Sequence, residues 1–227
     1  MAAHVFVDDT ARPVLAPEDF HHLSRALRLR AGEVVTASDG HGSLVTCAWS
    51  GGVALSPESE VVYLPAPSPP LTVAFSLTKG ERPEWAVQKM TEAGVDRIVL
   101  MTTARSVVRW DATSARRHVA RLLTVARQAA MQSRRAWLPA LDGPLDFAEL
   151  AGCYASGVAL AVPGGAPLHL GTPTVLIGPE GGWSDEELSA VPVRVGLGPH
   201  VLRAETAAVA AGVLLAALRG GMVAPMG

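Results

Sequence analysis

Two loops near the C-terminus contain the residue types best suited to chemistry. Residues 177–182 read Ile-Gly-Pro-Glu-Gly-Gly, and residues 197–206 read Leu-Gly-Pro-His-Val-Leu-Arg-Ala-Glu-Thr. Each loop follows a short apolar run and leads into a helical pattern, so we interpret both as strand-to-helix turns lined by backbone amides. Such turns can hold a small polar ligand, and Glu180, Arg203 and Glu205 add ionisable groups to them.

The glycines of these loops do not match the common nucleotide-binding motifs. A dinucleotide site requires G-x-G-x-x-G after the first strand of the α/β unit, where residues 78–82 read Thr-Lys-Gly-Glu-Arg. A P-loop requires a lysine followed by Ser or Thr, and residues 181–184 contain no lysine. Glu180 would repel a phosphate but tolerates a cationic or neutral ligand. One glycine-rich turn is most often structural, whereas two at successive strand ends indicate a shared site.

A proline-rich segment divides the chain into two predicted domains. Residues 65–70 contain four prolines, which fix φ and remove hydrogen-bond donors, so this segment suits neither a helix nor a central strand. We predict a small β-barrel over residues 1–68 and an α/β domain over residues 71–227. The first domain has strand candidates at 5–7, 34–37, 44–49, 53–55 and 61–64, with one helical segment at 17–29.

The second domain alternates predicted strands and helices, a pattern typical of a parallel sheet with helices on both faces. Ser184, Asp185, Glu186 and Glu187 form a capping-box sequence, which predicts that a helix begins directly after the first loop. The strand candidates are 72–77, 97–101, 158–162, 174–177 and 193–197, and the helix candidates are 82–93, 114–132, 184–190 and 206–218.

The charge of the chain is unevenly distributed. The net charge is −2, but residues 71–140 carry 12 Lys and Arg against 5 Asp and Glu. The guanidinium group suits phosphate oxygens, so this basic segment predicts a polyanionic partner. Any single arginine is more often part of a solvated helix face, and the prediction therefore depends on the asymmetry as a whole.

Other classes of protein fit the composition less well. The apolar run 207–218 has 12 residues, fewer than the about 20 that span a membrane. The N-terminus carries Asp8 and Asp9 and lacks the apolar core of a signal peptide. Cys47 and Cys153 lie far apart and near no ligand-spaced histidines, which argues against a disulfide framework and a zinc site. We expect a soluble, cytoplasmic protein without a bound metal.

Further short motifs occur in order along the chain. They are residues 21–28, Gly32, Asp39-Gly40, Lys79-Gly80, Gln88-Lys89, residues 91–95, residues 105–107, Gln132-Ser133, Arg135 and Pro139. Together with the two C-terminal loops, which are the most specific, this series resembles the bacterial small-subunit ribosomal RNA uracil-N3 methyltransferases of the SPOUT superfamily. The resemblance runs along nearly the whole chain.

This resemblance implies a PUA-like RNA-binding domain followed by a methyltransferase domain whose C-terminal part forms a trefoil knot. Periodicity would not predict the knot, because knots are rare. In similar proteins the knot binds S-adenosylmethionine, the enzyme is a homodimer, and the substrate is 16S ribosomal RNA within the small ribosomal subunit. The implied donor-binding residues are Leu160, Val162, Pro163, Ile177, Gly178, Pro179, Glu180, Gly181, Leu197, Gly198, Val201 and Leu202.

Methylation of uracil N3 requires loss of the N3 proton. A cation near the carbonyl oxygens would favour the anion, and a carboxylate could accept the proton. Arg203 and Glu205 are our candidates for these roles, with Glu180 as an alternative base. In the other interpretation, Arg203 and Glu205 form an ion pair that fixes the helix start. The candidate RNA phosphate ligands are Arg28, Lys79, Arg105, Arg109 and Arg135.

Three positions depart from the family pattern. His4 stands where a basic residue, often arginine, is common; Met131 stands where a glutamate is frequent; and His200 replaces an arginine in the second loop. These changes affect the expected RNA contacts more than the donor pocket. Two alternatives stay open: a SPOUT enzyme that methylates a ribose 2′-hydroxyl or a transfer RNA base, and a non-catalytic RNA-binding module.

Overall fold

The computed structural model describes residues 2–153 and 157–224. The chain divides into two compact units. The first unit consists of Met1–Ala66 and Arg127–Leu138, and the second consists of Pro67–Ala126 and Pro139–Gly227. A stretch from the middle of the sequence therefore packs with the N-terminal unit, although the proline-rich segment lies between them in the chain.

The first unit contains one mixed five-stranded sheet. Parallel β1 and β2 are followed by antiparallel β3, which pairs with both β4 and β5. The strands are β1 Ala3–Phe6, β2 Val34–Ser38, β3 Ser43–Trp49, β4 Leu55–Pro57 and β5 Val62–Tyr63. The predicted strand at 53–55 was placed too early, because the Val53 carbonyl accepts a hydrogen bond from the Leu15 amide instead of pairing with β3.

The predicted helix over residues 17–29 is shorter and irregular in the structure. Helix α1 spans Pro17–His21 and continues as one π-helical turn over His22–Ala26. Arg28 has a φ of 53°, in the left-handed region that a right-handed helix does not contain. The chain therefore leaves the helix before the end of the apolar pattern.

Arg127 holds the 127–138 segment against the N-terminal sheet. Its Nη1 and Nη2 donate to Asp19 Oδ1 and Oδ2 at 2.9 and 2.5 Å, and Nη2 also donates to the Phe6 carbonyl. Asp19 is buried, so the pair is largely shielded from water. Nη1 also contacts Met131 Sδ, and Met131 packs against the core of this unit. Arg127 is therefore structural, although the sequence counts it in the basic segment.

His4 is a buried, neutral side chain in the first unit. Its Nδ1 lies 2.8 Å from Thr36 Oγ1, and its Nε2 lies 3.1 Å from the carbonyl oxygen of Arg135. Burial lowers the pKa of the imidazole from 6.5 to about 4. The position that often holds an arginine in the family is therefore filled here by an uncharged core residue, which does not present a charge to RNA.

We expect the His4 imidazole to make the stability of the protein sensitive to mild acid. Because its pKa is about 4 in the folded state and 6.5 in the unfolded chain, the unfolded chain binds the extra proton between these values. This contribution is complete above pH 6.5 and is lost as the pH falls towards 4. Between pH 7 and pH 5 the loss is about 2 kcal/mol.

The measurement is urea unfolding of the wild-type protein and of His4→Gln at both pH values. Glutamine can keep a hydrogen bond but does not titrate, so the variant should lose about 2 kcal/mol less stability on acidification than the wild type. An equal loss in both proteins would contradict a neutral, buried imidazole.

The second unit is an α/β fold with a parallel six-stranded sheet, as the alternating pattern predicted. The strand order is β11-β9-β10-β6-β7-β8. The strands are β6 Thr72–Ser76, β7 Arg97–Thr102, β8 Ala140–Asp146, β9 Val158–Ala166, β10 Thr174–Ile177 and β11 Arg194–Val195. The helices are α2 Arg82–Ala93, α3 Ala112–Ser133, α4 Phe147–Cys153, α5 Asp185–Ala190 and α6 Ala204–Arg219.

Strand β8 and helix α4 were not predicted. Strand β8 reads Ala-Leu-Asp-Gly-Pro-Leu-Asp, which resembles a turn more than a strand. It pairs only at the sheet edge, where a proline is tolerated. Gly143 is required there, because its φ is 106° and a β-carbon would lie 2.3 Å from the Leu100 carbonyl oxygen.

Helix α6 packs closely against helix α2 and strand β6. Its buried face consists mainly of small residues, including Ala208, Ala211 and Gly212, which allow the helices to approach closely. A β-carbon on Gly212 would lie 2.7 Å from Val95 Cγ2. None of the helices that the structure describes is long and apolar enough to cross a membrane.

Candidate functional site

The two glycine-rich loops meet at the carboxyl edge of the parallel sheet. Strands β11, β9 and β10 are neighbours, so the segments that follow them lie side by side at one edge, where α/β proteins commonly bind ligands. A cleft opens there, which we call the loop cleft. The predicted donor-binding residues that line it are Val162, Pro163, Ile177, Gly178, Pro179, Glu180, Leu197, Gly198, Val201 and Leu202.

Two predicted donor-binding residues do not line the loop cleft. Leu160 is fully buried within β9, where its side chain belongs to the hydrophobic core. Gly181 is exposed, and its carbonyl oxygen accepts a hydrogen bond from Arg105 Nη1 at 3.0 Å. Six further residues line the loop cleft: Ala161, Gly182, Trp183, His200, Ala204 and Ala207. The first, second and fourth of these lie within the segments 160–163, 177–182 and 197–202 that the resemblance implies for the pocket, whereas sequence reasoning missed the other three.

Trp183 forms one wall of the loop cleft. Its Nε1 donates to the Ala161 carbonyl oxygen at 3.1 Å, and its ring lies against Gly178. A β-carbon on Gly178 would lie 2.9 Å from Trp183 Cε2, so only glycine leaves the indole in this place. The ring is therefore held in the protein and is not available to stack on an RNA base. Trp110 is likewise engaged within the protein, because it stacks on His118 and packs against the core.

The first loop is held in place by hydrogen bonds in the helix start that follows it and by hydrogen bonds from the turn after β7. The predicted capping box is confirmed: Ser184 Oγ accepts from the Glu187 amide at 3.2 Å, and Glu187 Oε2 accepts from the Ser184 amide at 2.8 Å. Glu187 Oε1 also accepts from the Ala104 amide at 2.8 Å. The turn after β7 and the loop after β10 therefore form one connected structure, with Arg105 as a second link.

Glu205 pairs with Arg82, and not with Arg203. Glu205 Oε1 lies 3.5 Å from Arg82 Nε, whereas Arg203 is the exposed residue that precedes α6 and makes no side-chain capping bond. The alternative interpretation of Arg203 and Glu205 as an ion pair is therefore wrong. Backbone geometry gives the reason: Arg203 is extended, with φ −66° and ψ 154°, and its side chain points to solvent while Glu205 is buried in the first helical turn.

Arg82 lies between the two loops. Its Nη1 is 3.7 Å from Glu180 Oε1 in the first loop, while its Nε faces Glu205 at the end of the second loop. Arg82 also lines a shallow groove, which we call the Arg82 groove; it is formed by Glu81, Arg82, Trp85, Arg203, Glu205 and Thr206. Sequence reasoning missed Arg82, because its position in helix α2 gives no sign of which loops it faces.

The candidate RNA ligands are divided between the two units. Lys79 and Arg105 follow the adjacent strands β6 and β7, and both are exposed at the carboxyl edge of the sheet, as is Arg109 a few residues later. Arg28 is exposed in the first unit. Arg135, also in the first unit, is partly buried, and its Nε donates to the Trp137 carbonyl oxygen at 3.1 Å. Arg105 and Arg135 therefore also have structural hydrogen bonds.

No group of three or more His, Cys, Asp and Glu suited to a metal ion occurs among residues 2–153 and 157–224. Cys47 is buried and Cys153 is exposed, and both are free thiols.

Comparison with known proteins gives two family matches. A family model described as an RNA methyltransferase domain matches residues 65–216, and a second, described as an RNA methyltransferase PUA domain, matches residues 15–48. The ribosomal RNA small subunit methyltransferase E of Mycobacterium bovis is 34% identical over 240 aligned residues, covering 93% of this chain and 90% of that protein. The enzyme of the same name from Bacillus subtilis is 27% identical, with 84% of each chain covered.

Solved structures of similar proteins share the fold of this chain over almost its full length. A methyltransferase of Legionella pneumophila, solved with bound S-adenosylmethionine, superposes with a TM-score of 0.80 at 27% identity, covering 96% of this chain and 98% of that chain. The ribosomal RNA small subunit methyltransferase E of Neisseria gonorrhoeae shares the fold, with a TM-score of 0.77 at 23% identity and coverage of 93% and 95%. On the sequence matches, this chain belongs to the ribosomal RNA small subunit methyltransferase E family of RNA methyltransferases.

Proposed function

We propose that the protein uses S-adenosylmethionine to methylate N3 of a uridine in 16S ribosomal RNA. The observation that carries the proposal is the loop cleft, which lies in the domain matched by the RNA methyltransferase model. A relative named as a small-subunit ribosomal RNA methyltransferase matches 93% of the chain, and the similar Legionella protein was solved with bound S-adenosylmethionine.

The residues of the loop cleft fit S-adenosylmethionine. Ile177, Leu197 and Leu202 provide an apolar surface for a flat adenine ring. The exposed Glu180 carboxylate suits a ligand that carries positive charge on its sulfur and amino group, and would oppose a phosphate. Gly178 has no side chain, which leaves room for the Trp183 indole in the wall of the cleft. When bound, the donor supplies an electrophilic methyl group attached to a positively charged sulfur.

Residues of the protein then have to promote deprotonation of the uracil. The N3 nitrogen must lose its proton so that its electron pair can form the new bond to the methyl carbon, while the bond from that carbon to sulfur breaks and its electron pair stays on the sulfur, which leaves as a neutral thioether. We assign Glu205 as the group that receives this proton, because its carboxylate lies beside the cleft and Oε2 has no hydrogen-bond partner within the described residues. Arg203 is exposed beside it and supplies positive charge for the carbonyl oxygens as the anion forms. Glu180 remains the alternative base.

The finer architecture is part of the same proposal. The trefoil knot that the family resemblance implies belongs to this proposal; in the region concerned β9 and β11 pair in parallel with an irregular register, and a β-carbon on Gly165 would lie 2.4 Å from the Val195 carbonyl carbon. The mixed five-stranded sheet and the PUA match support a PUA-like barrel over residues 1–68, with the methyltransferase domain over residues 71–227.

We extend the proposal to the setting of the reaction. Half-exposed Val213 on the uncharged, alanine-rich stretch of α6 supports a homodimer through this helix. A ribosomal RNA substrate supports action in the cytoplasm, within the small ribosomal subunit. Donor binding and RNA contacts are assigned to the loop cleft and to Arg28, Lys79, Arg105, Arg109 and Arg135.

Mass-spectrometric mapping of modified nucleosides tests the reaction. Ribosomal RNA from cells that lack the gene should lose one N3-methyluridine, and the purified protein with S-adenosylmethionine should restore it. A methyl group on a 2′-oxygen, or on transfer RNA, would favour the other SPOUT activities. A calorimetric titration without donor uptake would instead favour the non-catalytic RNA-binding module.

We expect Arg109→Ala to weaken RNA binding and to leave donor binding unchanged. Arg109 is exposed beyond the carboxyl edge of the sheet and outside the loop cleft, so its loss removes one phosphate contact. Affinity should fall by about 3- to 10-fold and the salt dependence of binding should weaken by about one unit of slope.

The matched control is Arg97→Ala. Arg97 begins β7 at the opposite edge of the sheet, where its Nε lies 2.7 Å from Asp142 Oδ2. This exposed ion pair contributes little to stability. Filter binding of a small-subunit ribosomal RNA transcript over a range of salt concentrations compares the two variants, and equal affinities would contradict an RNA contact at Arg109.

A further inference from the structure

We infer that the Arg82 groove receives the target base, with Trp85 as its stacking surface and Arg82 as the residue that positions Glu205. This inference rests on the proposed function, because it names the subsite in which the methylated base lies. Four of the groove residues carry it: Arg82, Trp85, Arg203 and Glu205.

Glu205 is the first observation. Its side chain is 9% exposed, Oε1 faces Arg82, and Oε2 is buried without a hydrogen-bond partner in the described residues. A carboxylate oxygen that is buried and unpaired costs free energy, so native proteins almost always satisfy such an atom. An N–H group of a ligand in the groove would give Glu205 Oε2 the hydrogen-bond donor that it lacks.

Trp85 is the second observation. It lies three residues after Arg82 on helix α2, so both side chains share one face of the helix. Its side chain is 44% exposed, which is unusual for so large an apolar group. A flat, exposed indole beside a hydrogen-bonding carboxylate is a suitable platform for an unpaired base, because proteins recognise single-stranded RNA by stacking together with contacts to base edges.

The groove also adjoins the loop cleft. Along the extended segment that enters α6, Leu202 and Ala204 line the loop cleft, whereas Arg203 and Glu205 line the Arg82 groove. A single backbone segment thus separates the loop cleft from the Arg82 groove. Arg82 pairs with one acidic residue of each, Glu180 of the cleft and Glu205 of the groove. A base in the groove would therefore lie next to a ligand in the cleft.

The donor and acceptor pattern of the groove indicates the kind of base. Uracil presents one N–H group between two carbonyl oxygens, which matches the Glu205 carboxylate beside Arg82 in a groove that Arg203 also lines. Cytosine presents an unprotonated N3 at this position, and its lone pair would face the Glu205 carboxylate. The groove therefore favours uracil, and discrimination against cytosine depends on Glu205 being held in this place by Arg82.

Steady-state kinetics with a small-subunit ribosomal RNA transcript tests the inference. Trp85→Ala should raise KM for RNA by about 10-fold, and Trp85→Phe should restore most of it, because a phenyl ring also stacks. Arg82→Ala should lower kcat by about 10- to 100-fold with little change in KM, and Arg82→Lys should recover part of the rate. Donor affinity, measured by calorimetry, should change by less than about threefold in every variant, because the pairing of Arg82 with Glu180 is solvent-exposed.

The outcomes separate this inference from the proposed function. If the wild-type protein neither binds donor nor methylates the transcript, the proposed function fails. If the wild type is active and the Trp85→Ala and Arg82→Ala variants keep both KM and kcat, the base lies elsewhere and the inference alone is overturned. Thermal melting of each variant identifies loss of folding, and in that case Trp85→Phe and Arg82→Lys decide the question.

Discussion

Gly178→Val should abolish binding of S-adenosylmethionine while leaving the protein folded. A β-carbon at this position would lie 2.9 Å from Trp183 Cε2 and 3.2 Å from Cδ2 and Cζ2, so the branched valine forces the indole to move. Trp183 is buried between Gly178, the Ala161 carbonyl and Phe147, and the space open to it is the loop cleft. The displaced ring would therefore occupy part of the donor site.

The expected loss of donor affinity is about 100-fold or more, equivalent to about 3 kcal/mol, because the displaced indole occupies surface that the donor would contact. Isothermal titration with S-adenosylmethionine measures it. Gly152→Val is the control, because Gly152 lies on α4 with no atom within 4 Å of the added β-carbon. Donor affinity in Gly178→Val equal to that of the control would show that the donor does not use the loop cleft.

Glu205→Gln should lower kcat by about 10²- to 10⁴-fold, the usual contribution of a positioned general base. Glutamine has almost the same shape as glutamate, but its amide cannot take the N3 proton. Because Glu205 lines the Arg82 groove and not the loop cleft, donor affinity should stay within about threefold of wild type. Single-turnover methylation of a small-subunit ribosomal RNA transcript separates the chemical step from RNA binding.

Glu81→Gln is the matched control, since Glu81 lines the same groove with a side chain that is 89% exposed. A wild-type rate in Glu205→Gln would exclude Glu205 as the base. If Glu180→Gln then lowered the methylation rate without changing donor affinity, Glu180 would be assigned as the general base; Arg82 also faces this residue.

These two variants address different spaces that sequence reasoning had treated as one. The two loops were expected to form a shared site, with Arg203 and Glu205 as the candidates for its catalytic roles. In the structure, Leu202 and Ala204 line the loop cleft, whereas Arg203 and Glu205 line the Arg82 groove. Donor binding and base chemistry are therefore separable by mutation, with Arg82 as the residue between them.

The sequence by itself determined the features that depend on neighbouring residues. The bounds of α2 and β10, and the capping box at Ser184, follow from local periodicity and from hydrogen bonds within one helical turn. The family resemblance implied twelve donor-binding residues, and ten of them line one cleft, because parallel strands end at the same edge of a sheet.

Only the tertiary structure decided which distant side chains meet. Asp19 and Arg127 are 108 residues apart, and the His4 ring bonds the carbonyl of a residue 131 positions away. Likewise, the partner of Glu205 is Arg82 on another element, where nearness in sequence had suggested Arg203. Periodicity shows which face of an element is apolar, but it does not show which element covers that face. Contacts of this kind therefore arise only when the whole chain packs.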